Sequence, residues 1–502
     1  MTTQTFPSPS PRSHCGRPEE GNAAPKNTQA RSALPPRVWH SGAMHPLDCE
    51  EVHTTLLDFL RIARGDLAVK EACAQGDCGA CAVAVAQLDA RGNLQWSSMN
   101  SCIKPVHAMN RKAVFSARDL PPEHPVIRAM LQHESSQCGF CTPGFVMSLF
   151  AVYQEARVRQ EEGRSRALGR EEVLEAISGN LCRCTGYLPI VDAGLAMLQL
   201  PPVPAFEQKI EAMHRALQHE RAQDPAPGPQ LEDVLRRRAN ERDAWVVAGA
   251  TDLGLRITKA HQRPQSMIDV SGVNAMRRLG TDDQGLWLGA AIDLQQAFEC
   301  LAGHWPSLRE YLWRFAGRPI RNSATLGGNL GTASPIGDAI PLLMVLGAQA
   351  QLHRWDVEAD AIRDRSLAIE DFILGYRQTA LQADELISAV LIPAEMLDWQ
   401  LAAWKISKRY EDDISAVTLA AAWRSDPDGR IGTIRLAAGG VADRAIRLRS
   451  VEDFLTGKAR VRSELAKAQE LVRSAIAPIS DARASAAYRR EVCANLLLRL
   501  AA

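Results

Sequence analysis

The chain has 502 residues, 46% of them hydrophobic and 23% charged, enough for sizeable cores in about three domains. Lys+Arg and Asp+Glu balance at 58 each, so there is no basic field for nucleic acid and no acidic tail. No apolar run reaches the roughly 18 residues of a membrane span. The first 36 residues are rich in Pro, Ser, Asn and Arg and lack a signal peptide's apolar centre; they predict a disordered extension or an over-long start, on a cytoplasmic protein.

From residue 37 a short strand leads to an amphipathic helix expected over 51–63, with Val52, Leu56, Leu57, Phe59 and Leu60 on one face. Next comes Cys73-x4-Cys78-x2-Cys81, with Cys102 completing a set of four. This is the plant-type [2Fe–2S] spacing. Gly76 and Gly79 let the loop fold tightly and aim backbone N–H groups at sulfur. Residues 82–88 alternate Val83 and Val85 with small residues, as a half-buried strand does. Residues 113–116 close a small mixed sheet, so 37–119 predicts a ferredoxin-like β-grasp domain.

The second set, Cys138-x2-Cys141 and Cys182-x-Cys184, falls in a helical stretch over 120–200. Helices are expected over 125–134, from Thr142 as cap and Pro143 as first-turn residue, over 171–178 ending at Gly179, and over 191–200. Phe145, Leu149, Val152, Tyr153 and Ala156 form one stripe of the second. Metal ligands at the ends of four helices suggest a bundle that clamps a cluster. Structural zinc and disulfides are the plainer alternatives for clustered cysteines. Zinc needs no glycine nest, and a Cys-x-Cys pair is unlike its usual spacing, which favours iron–sulfur. Cys15, Cys49, Cys300 and Cys493 lie outside both sets and read as ordinary thiols.

Residues 201–230, with Pro-Pro at the start and a proline-rich end, read as a linker. Beyond it glycine-rich turns replace cysteine. Residues 245–253 read as strand and tight turn opening a helix over 252–259, an arrangement that offers N–H groups to a phosphate. Residues 324–338 form a second glycine-rich stretch in which Thr, Asn and Asp supply hydrogen bonds. No G-x-G-x-x-G follows the first strand, so a Rossmann fold is not supported. Strands are expected over 385–392, 402–406 and 433–438, and helices over 416–423, 463–476 and 484–499. These readings divide the region into 231–394 and a C-terminal α+β domain over 395–502.

Several stretches closely resemble the molybdenum hydroxylase family: the cysteine loop with Lys70 and Glu71 before it, Gln137–Gly144 around the first pair, and residues 179–187 around the second. Residues 247–253, 321–338 and 405–414 resemble its flavin domain, and the likeness runs from about residue 37 to the end. It implies a multidomain α+β protein: a β-grasp [2Fe–2S] domain, a four-helix [2Fe–2S] domain, an FAD-binding domain of the molybdopterin dehydrogenase type and a C-terminal flavoprotein domain. The implied ligands are Cys73, Cys78, Cys81 and Cys102 for one cluster and Cys138, Cys141, Cys182 and Cys184 for the other. Val246, Val247, Ala248, Gly249, Ala250, Thr251, Asp252 and Leu253 would surround the FAD pyrophosphate. Phe315, Thr325, Gly328, Asn329, Asp338, Ile387 and Lys405 are further FAD candidates. The acidic loop Glu411, Asp412 and Asp413 would lie near the flavin ring, with Asp412 the flavin-proximal candidate. One departure is Ala72, where glycine is usual.

The arrangement resembles the small subunit of bacterial purine-oxidising members. That implies a partner carrying the molybdenum cofactor, in a heterotetramer of two small and two large subunits. It also implies NAD+ as acceptor, with no part for nucleic acid or membrane, and oxidation of hypoxanthine and xanthine to urate as the reaction. The rivals are an equivalent subunit for an aldehyde, carbon monoxide or an aromatic N-heterocycle, a zinc-stabilised binding protein, and a scaffold that has kept the motifs.

Overall fold

A computed structural model describes residues 35–164, 167–223 and 228–501. The expected N-terminal extension and Cys15 lie outside them, apart from residues 35 and 36.

The first domain is one sheet of β1 (Arg37–His40), β2 (Ala43–Pro46), β3 (Ala82–Leu88), β4 (Leu94–Asn100) and β5 (Ala113–Phe115). Its order is β2-β1-β5-β3-β4, with β1 parallel to β5. The crossing helix begins later than the apolar stripe suggests. Thr55 caps α1 (Leu56–Asp58) by accepting from the Asp58 N–H, and the chain continues as one π-helical turn, Phe59–Ala63. β3 is buried on both faces rather than half-buried. Val83 and Val85 pack with Leu56 and Leu60, while Ala84 and Ala86 lie beneath Phe145 and Phe150 of the next domain. Alternating alanines allow that close approach.

The second domain holds α2 (Pro125–Gln132), α3 (Thr142–Glu161), α4 (Arg170–Ile177) and α5 (Leu188–Ala196). α3 is not a one-stripe helix: every residue from 144 to 154 is buried, the pattern of a helix at the centre of a core. Thr142 is not its cap. Cys141 takes that position without a capping bond, and the Thr142 hydroxyl pairs with Ser136 Oγ at 2.7 Å. The stretch read as a linker contains a 20-residue helix, α6 (Pro204–Gln223). Its buried stripe is narrow, Phe206, Met213 and Leu217, which is why the composition reads as loop. Ion pairs Lys209–Asp119 at 3.1 Å and Arg37–Glu220 at 2.8 Å tie it to the first domain.

The third domain opens with α7 (Leu231–Asn240), β6 (Trp245–Val247), α8 (Leu253–Thr258) and β7 (Met267–Asp269), the two strands pairing in parallel. β8 (Leu279–Thr281) and β9 (Gly285–Gly289) follow. Then come α9 (Leu294–His304), α10 (Arg309–Trp313), α11 (Arg318–Arg321), α12 (Leu326–Thr332) and α13 (Ala339–Val345). After β10 (Gln349–Asp356) and β11 (Ala361–Ala368), a small hairpin of β12 (Ile373–Gly375) and β13 (Gln378–Thr379) leads to β14 (Leu386–Pro393). The main sheet runs β11-β10-β14-β9-β8.

The last domain is a sheet of β15 (Gln400–Ile406), β16 (Val417–Ser425), β17 (Ile431–Gly439) and β18 (Ile446–Arg447) in sequence order. The helix expected over 416–423 is therefore strand β16. Alanine prefers helix locally, but here Ala420 and Ala422 fill the third-domain core. Val417, Leu419, Ala421 and Trp423 fill a separate one on the other face, and that two-sided burial decides the outcome. The helix expected over 463–476 is two, Arg462–Lys467 and Gln469–Ala475, and the last is Ala486–Leu497. Cys300 and Cys493 are free thiols as expected, whereas Cys49 is disulfide-bonded and not an ordinary thiol. No single helix among the described residues is long and apolar enough to cross a membrane.

Candidate functional site

Pairing of Ala82 with Asn100 across β3 and β4 carries Cys81 to the side of Cys102. The Cys102 thiol lies beside those of Cys73 and Cys81, and Cys73 also beside Cys78. Ala74, Gly76 and Gly79 take left-handed φ values of 50°, 79° and 66°, which curl the loop so that N–H groups face inward. The Cys78 N–H lies 3.4 Å from Cys73 Sγ. Asn100 Nδ2 donates to the Gly76 carbonyl at 2.6 Å and Ser101 Oγ to that of Cys81 at 2.8 Å. Ala72 is exposed, so its methyl crowds no ligand.

The second set gathers where α3 begins and where the chain turns from α4 to α5. The thiols lie in pairs, Cys141 beside Cys182 and Cys138 beside Cys184. Burial would raise the Cys182 thiol, but hydrogen bonds from Thr185 and the Cys184 N–H outweigh it and hold the group at about 7. Thr185 Oγ1 donates to Cys182 Sγ at 3.2 Å, and Tyr187 Oη accepts from the Cys182 N–H at 2.9 Å. Among the described residues no three or more His, Cys, Asp or Glu side chains converge on a single ion. A [2Fe–2S] centre shares its four thiolates between its irons, and the pairs of the second set suit that demand.

The two pockets touch through backbone. The Leu181 N–H, next to Cys182, donates to the Cys78 carbonyl at 3.0 Å. Asn180 Nδ2 donates to the Gly79 carbonyl at 3.0 Å, and Ser148 Oγ holds Asn180 Oδ1 at 2.7 Å. A Cβ on Gly79 would stand 2.2 Å from the Gly179 oxygen. On its other side the first ligand segment meets α8: a Cβ on Gly254 would stand 2.4 Å from the Ile103 oxygen.

The two glycine-rich stretches lie against each other. A Cβ on Gly249 would be 2.0 Å from the Ser323 oxygen, so the turn over 246–253 abuts the start of α12. Thr325 caps that helix, its Oγ1 accepting from the Gly328 N–H at 3.1 Å. Around Gly331 the nearest atom to a Cβ is Ile387 Cδ1 at 3.9 Å. Asp338 and Lys405, both buried, pair at 2.9 Å, and Ser415 Oγ donates to the other Asp338 oxygen at 2.5 Å. Lys405 Nζ also donates to the Arg314 carbonyl at 2.8 Å, which sets Phe315 at the same place. The structure thus brings together the turn, Phe315, Thr325, Gly328, Asn329, Asp338, Ile387 and Lys405. Ser323 Oγ and Asn329 Oδ1 are buried without a partner, polar atoms that suit a hydrogen-bonding ligand such as FAD.

The acidic loop packs on this assembly. The Gly317 N–H donates to Asp412 Oδ1 at 3.0 Å, and Asp412 Oδ2 is buried without a partner. Burial, with the charge of Asp77 in the first cysteine loop behind it, pushes the Asp412 carboxyl up to about 6. Three residues outside the sequence reading hold the domains together. Arg321, 1% exposed, donates to the Trp313, Phe315 and Ala316 carbonyls, to Gln295 and across the boundary to Glu175 at 3.0 Å. Asn180 joins the two cysteine pockets. Lys104 is buried against the turn over 246–253, where burial and the like charge of Lys112 lower its ammonium to about 8. Arg321 and Asn180 sit inside motifs that were visible; Lys104 carries no local signal.

Four family models match in succession: a 2Fe-2S iron-sulfur cluster binding domain over 41–106 and a [2Fe-2S] binding domain over 115–195, then an FAD binding domain in molybdopterin dehydrogenase over 228–395 and a CO dehydrogenase flavoprotein C-terminal domain over 402–502. Similar curated proteins include xanthine dehydrogenase 1 of Arabidopsis thaliana, 27% identical over 86% of this chain and 36% of that protein. Xanthine dehydrogenase of Emericella nidulans is 29% identical over 84% and 35%. The chain spans about a third of the length of these relatives. Among solved structures, quinoline 2-oxidoreductase from Pseudomonas putida 86 is 27% identical over 54% of this chain and 92% of that one, with a TM-score of 0.49. Domains and sites together define an iron–sulfur flavoprotein that carries electrons through two [2Fe–2S] clusters and FAD. The four domain matches and the xanthine dehydrogenase relatives together support the iron–sulfur and FAD portion of a molybdenum hydroxylase.

Proposed function

We propose that the chain is the electron-transfer subunit of a xanthine dehydrogenase. It takes electrons from a molybdenum centre on a partner subunit during oxidation of hypoxanthine and xanthine to urate, and delivers them to NAD+. The observation that carries this reading is the unbroken contact of the three sites. The segment after Cys102 rests on the flavin turn at Gly254, and the Cys78 carbonyl takes a hydrogen bond from the residue before Cys182. The eight cysteines are the cluster ligands, and the turn over 246–253 with Phe315, Thr325, Gly328, Asn329, Asp338, Ile387 and Lys405 holds FAD. When bound, the clusters pass electrons singly and the flavin exchanges them in pairs with nicotinamide.

The chain's own part is placement and exclusion of water. Asn180 and Ser148 fix the distance between the two cysteine pockets, and Arg321 locks the flavin domain against α4. Cys138 and Cys184 are exposed beside Phe140 and Leu188, which are 48% and 55% exposed. An apolar rim around solvent-facing ligands supports electron entry there, from a docked large subunit. The assembly on this reading is a cytoplasmic heterotetramer of two small and two large subunits. The similarity of the chain to xanthine dehydrogenases over more than four-fifths of its length supports the purine substrate.

The test is to purify the chain alone and with its molybdenum partner. Alone, it reduces an artificial acceptor with NADH and leaves xanthine untouched; with the partner, it gains xanthine-dependent NAD+ reduction. Turnover of an aldehyde, carbon monoxide or a quinoline by the complex, with none of xanthine, replaces the substrate and keeps the electron path. Xanthine turnover by the chain alone overturns the two-subunit reading.

A further inference from the structure

Lys104 lies two residues past Cys102, where a 3-10 turn, Ser101–Ile103, ends. The residue is 5% exposed. An ammonium has three donors and no acceptor. Among the described residues Lys104 Nζ has one hydrogen-bond partner, the Gly249 carbonyl at 3.2 Å, and it has no ion pair. Asp269 and Asp293 act on it only through space. Both are engaged elsewhere, Asp269 with the Ser271 N–H at 2.8 Å and Asp293 with the Gln296 N–H at 2.9 Å. A cation drawn out of water without a counter-ion is unfavourable and suits a place where an anion joins it.

Gly249 stands in the middle of the flavin turn, and the next residue, Ala250, is left-handed at φ 65°. The helix that follows, α8, has six residues, too short to supply much positive dipole. Backbone N–H groups can shape a phosphate site here, but the turn contributes no cationic side chain of its own. We propose that Lys104, carried by the first iron–sulfur domain, is a further binding residue for the FAD pyrophosphate, so that the flavin site is completed across the domain boundary. The proposal rests on placing the pyrophosphate at residues 246–253. Its consequence is that FAD and the docked first domain stabilise each other, since the ammonium comes from one domain and the N–H groups from the other.

The experiment uses the full chain with its clusters in place and its flavin removed. Wild type, Lys104→Met and Lys104→Gln are titrated with FAD, FMN and riboflavin by flavin fluorescence. Melting is followed with and without FAD, and visible absorbance checks that Cys102 keeps its cluster. Loss of a charge-assisted bond to phosphate predicts FAD affinity about ten-fold or more weaker in both variants. Riboflavin, which has no phosphate, binds all three proteins alike. Without flavin the variants melt no lower than wild type, because a lone buried charge is gone, and they gain less from saturating FAD. Unchanged FAD affinity in both variants overturns the proposal. Equal weakening of FAD and riboflavin also overturns it and makes Lys104 structural. Equal affinity of wild type for FAD and riboflavin overturns the placing of the pyrophosphate and the proposal with it.

Discussion

The two cysteine pockets hold four thiols each, in opposite settings. In the first, Cys81 and Cys102 are 3% and 2% exposed, and the loop is wedged between the second domain at Gly179 and the flavin domain at Ile320. In the second, Cys138 and Cys184 face solvent and only Cys182 is buried. Solvent exposure and hydrogen bonds to sulfur tune cluster potential, so near-identical chemistry is given two electrical environments. The first pocket is enclosed by the chain's other domains, while the second opens to solvent.

The sharpest way to break the comparison is Cys141→Ser. It removes one of two iron–sulfur signals in electron paramagnetic resonance and leaves FAD content and NADH oxidation with an artificial acceptor intact. Retention of both signals would refute the ligand assignment.

Arg321→Ala tests how firmly the domains are locked. It strands Gln295 Oε1 and three carbonyls and leaves Glu175 with Gln295 alone, and removal of one partner of a largely buried ion pair predicts a loss of up to about 3–5 kcal/mol in denaturant unfolding.

Two glycines compare the pockets directly. Gly79→Ala drives a methyl into the Gly179 backbone, whereas Gly186, left-handed at φ 68° beside the second pocket, has nothing within 4 Å of a Cβ. Gly79→Ala costs about 1–3 kcal/mol of overpacking besides backbone strain and separates the clusters. Gly186→Ala costs only the strain, about 1–2 kcal/mol, with cluster signals unchanged.

The smallest effect concerns Asp412, whose carboxyl lies at about 6 in the fold against 3.8 ordinarily. Below 3.8 the carboxyl is protonated whether the chain is folded or not, and nothing is lost. As pH rises the unfolded chain ionises first, so stability falls until pH passes the folded value, and the penalty is complete above it. Asp412→Asn therefore raises the melting temperature near pH 8 and leaves it nearly unchanged near pH 3.5. A variant that melts lower than wild type at the higher pH contradicts the assignment.

The parts of the molecule legible in sequence are those set by local spacing. Cysteine intervals, the Pro143 helix start and the turn after Val247 depend on neighbours a few residues away, and they stand where expected. The alanine-rich strand β16 and the helix α6 were misread because only distant packing partners decide them. Ala420 needs the third-domain core on one side and Leu419 the last-domain core on the other. Lys104 is the extreme case: its acceptor lies 145 residues away, and nothing near it in the chain marks it as buried.

The most direct test of the account is metal and flavin analysis of the anaerobically purified chain, with low-temperature electron paramagnetic resonance after reduction. Two [2Fe–2S] clusters predict about four iron atoms for each FAD. They also predict two distinct signals that broaden one another, because the ligand segments touch at Cys78 and Leu181. A colourless protein that contains zinc and no iron, or a single isolated signal, would contradict it.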